Sequence, residues 1–330
     1  MRIFDLHCDT LLKSASLFNN SCQVDLARLP AGVSCCQCFA VYTDDRFRSA
    51  RAIKKSEIFF ARFLNNMEGY PERIRQALTS GDIDEAFAAG QTAAILTVEN
   101  LSLLAGDAER VDQLADRGVR IAGLTWNGDN ELGGGVGGDP DRGLTAFGRQ
   151  AIRRMEDRGI IVDVSHANEK TFWDTAAAAR RPYIATHSNC RLICGHRRNL
   201  SDGQIREIGR AGGLIGLNFE KSFLADGGKV TDWSDLLRHV EHILNLAGDK
   251  VPALGSDFDG SRTPRFLRSQ ADLAGLYEAI CRSGPGEGVA RRIFFDNAYE
   301  FLTAYDEKPD ADSARPESRE ETGPSLRTID

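Results

Sequence analysis

No apolar run in this 330-residue chain approaches the ~20 residues that a membrane-spanning helix needs. There is no surplus of positive charge either. The 41 Lys and Arg stand against 48 Asp and Glu, a net charge of −7, which gives no electrostatic case for binding nucleic acid. A secretory leader, basic and then apolar, has no room, because residues suited to chemistry begin at His7. The expected location is therefore the cytoplasm, where the 8 cysteines should stay reduced. Cys35, Cys36 and Cys38 cluster, but no second cysteine pair at zinc-ribbon spacing completes a four-sulfur site. They are read as small residues of a buried strand. From Asp306 to Asp330 there is no aromatic residue, and acid exceeds base. Residues 306–330 are expected to be a disordered acidic tail behind a barrel domain of residues 1–305.

Histidine is scarce too. There are 6, and that scarcity makes their positions informative. Eight short apolar segments without alternation read as strands buried on both faces, at about 2–6, 34–42, 93–98, 119–125, 160–165, 182–186, 212–218 and 251–256. Helical patterns lie between most of them. They run from Ser49 to Asn66, from Asp82 to a stop at Gly90, from Thr145 to Arg158, from Asn168 to Arg180, from Ser201 to Arg210 and from Thr231 to Ala247. This alternation predicts an α/β protein, a (β/α)8 TIM-type barrel; an open doubly wound sheet is the alternative. The run Gly133-Gly134-Gly135-Val136-Gly137-Gly138 is not a phosphate loop, since no Gly-Lys-Ser/Thr closes it. It reads equally well as a mobile loop over the site or as a plain connection.

Three histidines and two carboxylates stand just past the ends of strand segments: His7 and Asp9, Glu99, His166, and His187. In a (β/α) barrel the C-terminal strand ends converge on one face. Residues i and i+2 of a strand point the same way, so His7 and Asp9 can grip one cation together. Each residue alone has an ordinary reading, as a polar pair, a helix cap or a core histidine. Together, five nitrogen and oxygen ligands predict a binuclear site for two divalent metal ions, most naturally zinc, with manganese or cobalt as substitutes. His239 and His242, three apart, share a helix side without further ligands and read as a solvated face.

Several segments resemble the membrane (renal) dipeptidase family, the M19 metallopeptidases among the amidohydrolase-like barrels. They are Asp5-Leu6-His7-Cys8-Asp9-Thr10, Val98-Glu99-Asn100, Val162-Asp163-Val164-Ser165-His166, Thr186-His187-Ser188-Asn189 with Arg197-Arg198-Asn199, and Leu254-Gly255-Ser256-Asp257-Phe258-Asp259-Gly260. The resemblance spans about residues 1 to 303. It implies that Glu99 bridges two zinc ions, that His7 and Asp9 complete one and His166 and His187 the other, and that a bridging hydroxide is the nucleophile. Asp257 would exchange the proton with the leaving amine, and Arg198 would hold the substrate carboxylate.

Two departures bear on substrate rather than metal. Renal-type members carry a His that contacts the substrate carbonyl where this chain has Trp126. Relatives often have Tyr where this chain has Glu220. Trp126 would instead shape an apolar pocket, and Glu220 would favour a substrate amine or lie outside. The expected activity is hydrolysis of dipeptides or related small amides with a free carboxylate. The alternatives are a binuclear phosphoesterase or other amidohydrolase, or a metal-binding relative without turnover. The partners expected are a small-molecule or dipeptide substrate, with no nucleic acid and no membrane; a homodimer is compatible with the sequence.

Overall fold

The computed structural model describes residues 1–307. The strands are β1 (Arg2–Cys8), β2 (Ser34–Tyr42), β3 (Ile74–Gln76), β4 (Thr92–Glu99), β5 (Val119–Gly123), β6 (Ile161–Asp163), β7 (Ile215–Leu217) and β8 (Pro252–Leu254). All pair in parallel, in the order β6-β5-β4-β2-β1-β8-β7, with β3 beside the start of β4. Single bridges Asp163↔Ile184 and Ala185↔Ile215 place the segment around Ile184 between β6 and β7, which closes the ring. Eight members therefore surround the barrel axis, and the open-sheet alternative falls. Every strand expected from apolar runs is present; the one expected at 182–186 is reduced to those two bridges. β3 was not anticipated, since three residues are too few to show a pattern.

The parity of the strands sorts side chains between two cores. Phe4, Leu6, Cys36, Cys38, Ile95, Ile121, Ile161 and Ile184 fill the barrel interior. Ile3, Phe39, Val41, Leu96 and Val98 face the surrounding helices. Leu302 and Tyr305, on the helix Asn297–Asp306, plug the interior from the N-terminal side. The cysteines are free thiols, and Cys35, Cys36 and Cys38 are buried strand residues as expected. Burial pushes their thiols up, which keeps them inert.

Helix starts follow local chemistry. Thr79 caps Ser80–Ala88 and Asp82 answers it in a capping box, so this helix begins before Asp82. Ser201 with Gln204 does the same for Asp202–Arg210. Thr145 and Asn168 cap Ala146–Asp157 and Glu169–Ala178. Asp306 ends the last helix, and its carboxylate pairs with Arg120. Residues 308–330 of the expected acidic tail lie outside the described residues. Among the described residues no helix is long and apolar enough to cross a membrane.

Candidate metal centre

Barrel closure delivers the five expected ligands to one mouth. His7 and Asp9 do not share parity with the inward Phe4 and Leu6. The ladder between β1 and β2 slips between Asp5 and Cys8, and this irregularity turns His7 and Asp9 inward. Asp5 pins the slip. Its carboxylate accepts from the Ser256 hydroxyl at 2.6 Å, the Ser256 N–H at 2.8 Å and the His7 N–H at 3.3 Å. On β4 the inward series Ala93, Ile95 simply runs on to Glu99.

The geometry centres on Glu99. Its Oε1 lies 2.9 Å from His166 Nε2 and 3.8 Å from His187 Nε2; its Oε2 lies 3.8 Å from His7 Nε2. His166 Nε2 and His187 Nε2 are 2.9 Å apart, and the His7 ring stacks on His187 at 3.9 Å. His7 Nε2 is 3.4 Å from Asp9 Oδ2. Donor atoms of His7, Glu99 and His187 fall within 4.8 Å of one another, and so do those of His7, Asp9 and Asp257. The second group brings Asp257 to ligand range, although it was expected to stand outside the ligand set.

Two divalent cations suit this donor set. His7 Nε2 and Asp9 Oδ1 are buried polar atoms without a hydrogen-bond partner. At Gly260 a Cβ would lie 2.0 Å from Asp9 Oδ2 and 2.4 Å from Asp257 Oδ1, so only glycine leaves the two carboxylates room to converge. Burial pushes the Glu99 carboxyl well above its usual range, and the charge on Asp9 adds to this. Burial drives His166 and His187 well below theirs. Burial opposes charge on His7 as well, but Asp9, Glu99 and Asp257 outweigh it and raise His7 to about 10. Nearby cations would favour the charged carboxylate and the neutral imidazole.

The imidazoles are oriented from behind. Thr186 Oγ1 donates to Asp163 Oδ2 at 2.8 Å, so it accepts from His187 Nδ1 at 2.7 Å. A carboxylate only accepts and a hydroxyl has one proton, which leaves His187 Nε2 as the free lone pair. His166 Nδ1 donates in the same sense to Asn127 Oδ1 at 3.1 Å. Thr186, Asp163 and Asn127 were not picked out from sequence. Their signal was adjacency to the ligand motifs.

Beside these candidate ligands lies a cavity of about 450 Å³. Its lining includes Tyr42, Trp126, Arg197, Arg198, Glu220 and Arg262. Arg198 is buried; Nη1 donates to the Ser165 carbonyl, and Nη2 to the His187 carbonyl at 3.3 Å while lying 3.1 Å from His166 Nε2. Asp257 accepts from Asn218 Nδ2 at 2.9 Å. Burial lifts its carboxyl to about 7. Asp259 is spoken for, accepting from Thr10 Oγ1 at 2.6 Å, Gln23 N at 2.7 Å and Val24 N at 3.2 Å. Of the two acids after β8, Asp257 is the one that lines the cavity.

Several expectations are refined. The glycine run is no free-swinging cover: Val136 N donates to the His166 carbonyl at 2.8 Å, and a Cβ on Gly135 would meet three carbonyl oxygens at 2.4 to 2.6 Å. It is a wall packed against the site. Glu220 is engaged, not free for an amine. Its oxygens accept from Ser222 N at 3.1 Å, Ser222 Oγ at 2.8 Å and Arg262 N at 2.6 Å, tying the loop after β7 to the loop after β8. His239 is buried rather than solvated. Its Nδ1 accepts from Cys190 N at 3.1 Å and its Nε2 meets the Leu224 carbonyl at 3.0 Å. His242 pairs separately with Asp202 at 2.8 Å. Asn100 has φ 76°, a left-handed conformation that Asn tolerates better than most residues.

A family model described as membrane dipeptidase, peptidase family M19, matches residues 1–311. A Klebsiella pneumoniae protein described only by its place in the pqqA 5′ region is 36% identical over 234 residues, covering 68% of this chain and 86% of that one. Among solved structures, a metallopeptidase from Rhodobacter sphaeroides, liganded with a phosphinate mimic of the dipeptide L-Ala-D-Ala, is similar at TM-score 0.84 and 27% identity, over 92% of this chain and 98% of that one. A second, described as dipeptidase AC, a metallopeptidase of family M19, is similar at TM-score 0.85 and 28% identity, with the same coverage of 92% and 98%.

Proposed function

Since the chain belongs to the membrane dipeptidases, peptidase family M19, and is a metal-dependent dipeptidase, we propose that it hydrolyses dipeptides with a free C-terminal carboxylate within one barrel domain, using two zinc ions. His7 and Asp9 would hold one ion and His166 and His187 the other, with the Glu99 carboxylate between the two pairs. The carrying observation is that one buried carboxylate, Glu99, has His166, His187 and His7 within 3.8 Å, at the floor of a cavity that Arg198 and Asp257 also line. The bound ions would act as Lewis acids and lower the pKa of water toward neutrality.

The chain's own residues do the rest. Asp257 takes the proton of the attacking water and returns it to the departing amine. A carboxyl raised to about 7 by burial is suited to both roles. Arg198 binds the substrate carboxylate. Its Nη2 faces the His166 lone pair that a cation would take, so metal loading would turn that donor toward the cavity. The dipeptide mimic in the Rhodobacter sphaeroides relative supports a substrate of this size.

A hydrolysis screen of dipeptides, amidated dipeptides and phosphodiesters, with zinc, manganese or cobalt added and with chelator, tests this reading. Metal-dependent cleavage of dipeptides alone is expected. Phosphodiesters belong in the screen because the rim holds Arg197 and Arg262 beside Arg198. Cleavage of phosphodiesters only would overturn the dipeptidase assignment. Arg198→Met should raise KM for free dipeptides while leaving kcat comparatively intact, the signature of binding lost alike in ground and transition states. Amidated dipeptides, poor substrates for the parent, should be scarcely affected; equal weakening of both classes would remove Arg198 from carboxylate binding.

A further inference from the structure

Hydrolysis of an amide puts negative charge on the former carbonyl oxygen, and a fixed donor aimed there lowers the barrier. Several polar groups around this cavity are anchored to neighbouring residues. The Asn127 side chain serves His166 Nδ1, and His196 Nδ1 accepts from the Arg198 N–H at 3.2 Å. Arg198 is bound to two carbonyls. Tyr42 differs. It ends β2, where Cys36 and Cys38 point into the barrel, and the period of two carries that inward direction to Tyr42. Its ladder partner is Glu99, the residue at the centre of the metal site. The ring lines the cavity and packs edge-on against Trp126 at 5.2 Å. Its hydroxyl has no hydrogen-bond partner among the described residues.

We propose that the Tyr42 hydroxyl is a catalytic hydrogen-bond donor to the carbonyl oxygen of the scissile amide as that oxygen gains charge. The proposal rests on the dipeptidase reading. Tyr42 keeps its proton and forms no covalent bond. Burial, with the charge of Glu99 next, holds the phenol above its usual pKa. The Trp126 ring packs beside it.

Tyr42→Phe, with ring and packing kept, tests the role. Because metal shares the charge, the expected loss in kcat is about 10²-fold, the low end for removal of one such donor. KM, zinc content and Tm should move little. A phosphinate dipeptide mimic, whose oxygens imitate the charged transition state, should bind the zinc-loaded variant more weakly by a comparable factor in calorimetry, whereas the product amino acids should not. Unchanged kcat and unchanged phosphinate affinity would overturn the role. Loss of zinc or of Tm in step with kcat would also overturn it, by showing that Tyr42 only supports the fold. A parent protein that cleaves no dipeptide would overturn the dipeptidase reading and this inference together.

Discussion

Glu99→Gln is expected to strip metal and turnover from the protein while leaving the metal-free fold as stable as before, or more so. The amide keeps the volume of the side chain. It removes the negative charge that would offset two cations, and it offers an N–H where one oxygen faces an imidazole 2.9 or 3.8 Å away. Zinc content, near two equivalents in the supplemented parent, should fall with activity. The stability effect has the opposite sign. A buried carboxyl whose folded-state pKa lies above its unfolded value costs stability once pH exceeds the unfolded value, because the folded state resists ionisation. Near neutral pH the metal-free variant should therefore melt at or above the metal-free parent. Full metal content in the variant would remove Glu99 from the centre. A collapse in Tm without metal would show that it acts through packing.

The second large effect concerns Asp257. Its φ is 57°, left-handed, where Asn is tolerated and most residues are strained, so Asp257→Asn is the substitution that isolates chemistry. The replacement's amide oxygen can still accept from Asn218, but it cannot take a proton from water at working pH. The expected fall in kcat is roughly 10²–10⁴-fold. Because Asp257 lies in ligand range of His7 and Asp9, zinc must be counted in the same preparation. Two equivalents retained with kcat lost supports the proton-transfer role. Loss of one equivalent would make Asp257 a ligand instead.

Much of this was legible in the chain. Buried parallel strands announce themselves as apolar runs, and the residue just past each run falls on the catalytic face, which is why His7, Glu99, His166 and His187 could be named before any coordinates. What stayed hidden depends on pairing across distance. The register slip in β1 that turns His7 inward is fixed by Asp5 meeting Ser256, 251 positions away. Glu220 looked like a free acid at the mouth because its partner Arg262 comes from the next strand's loop. Tyr42 obeys the same strand-end rule as the ligands, yet a tyrosine closing an apolar run looks like more core. Helix caps shifted boundaries by a residue or two, as the capping pattern at Thr79 and Asp82 shows.

The way the ring closes would give bound cations a second job. β2 and β4 share seven paired positions, whereas the segment around Ile184 is held to its neighbours by one bridge on each side. His166 follows the strand on one flank of that seam, and His187 follows the segment itself. A cation gripping both imidazoles would rivet the barrel where its stitching is thinnest. Chelation should accordingly loosen the protein unevenly. Amide hydrogens at Val164, Ile184 and Ala185 would exchange faster with solvent deuterium, while those of the long β2–β4 ladder keep their protection.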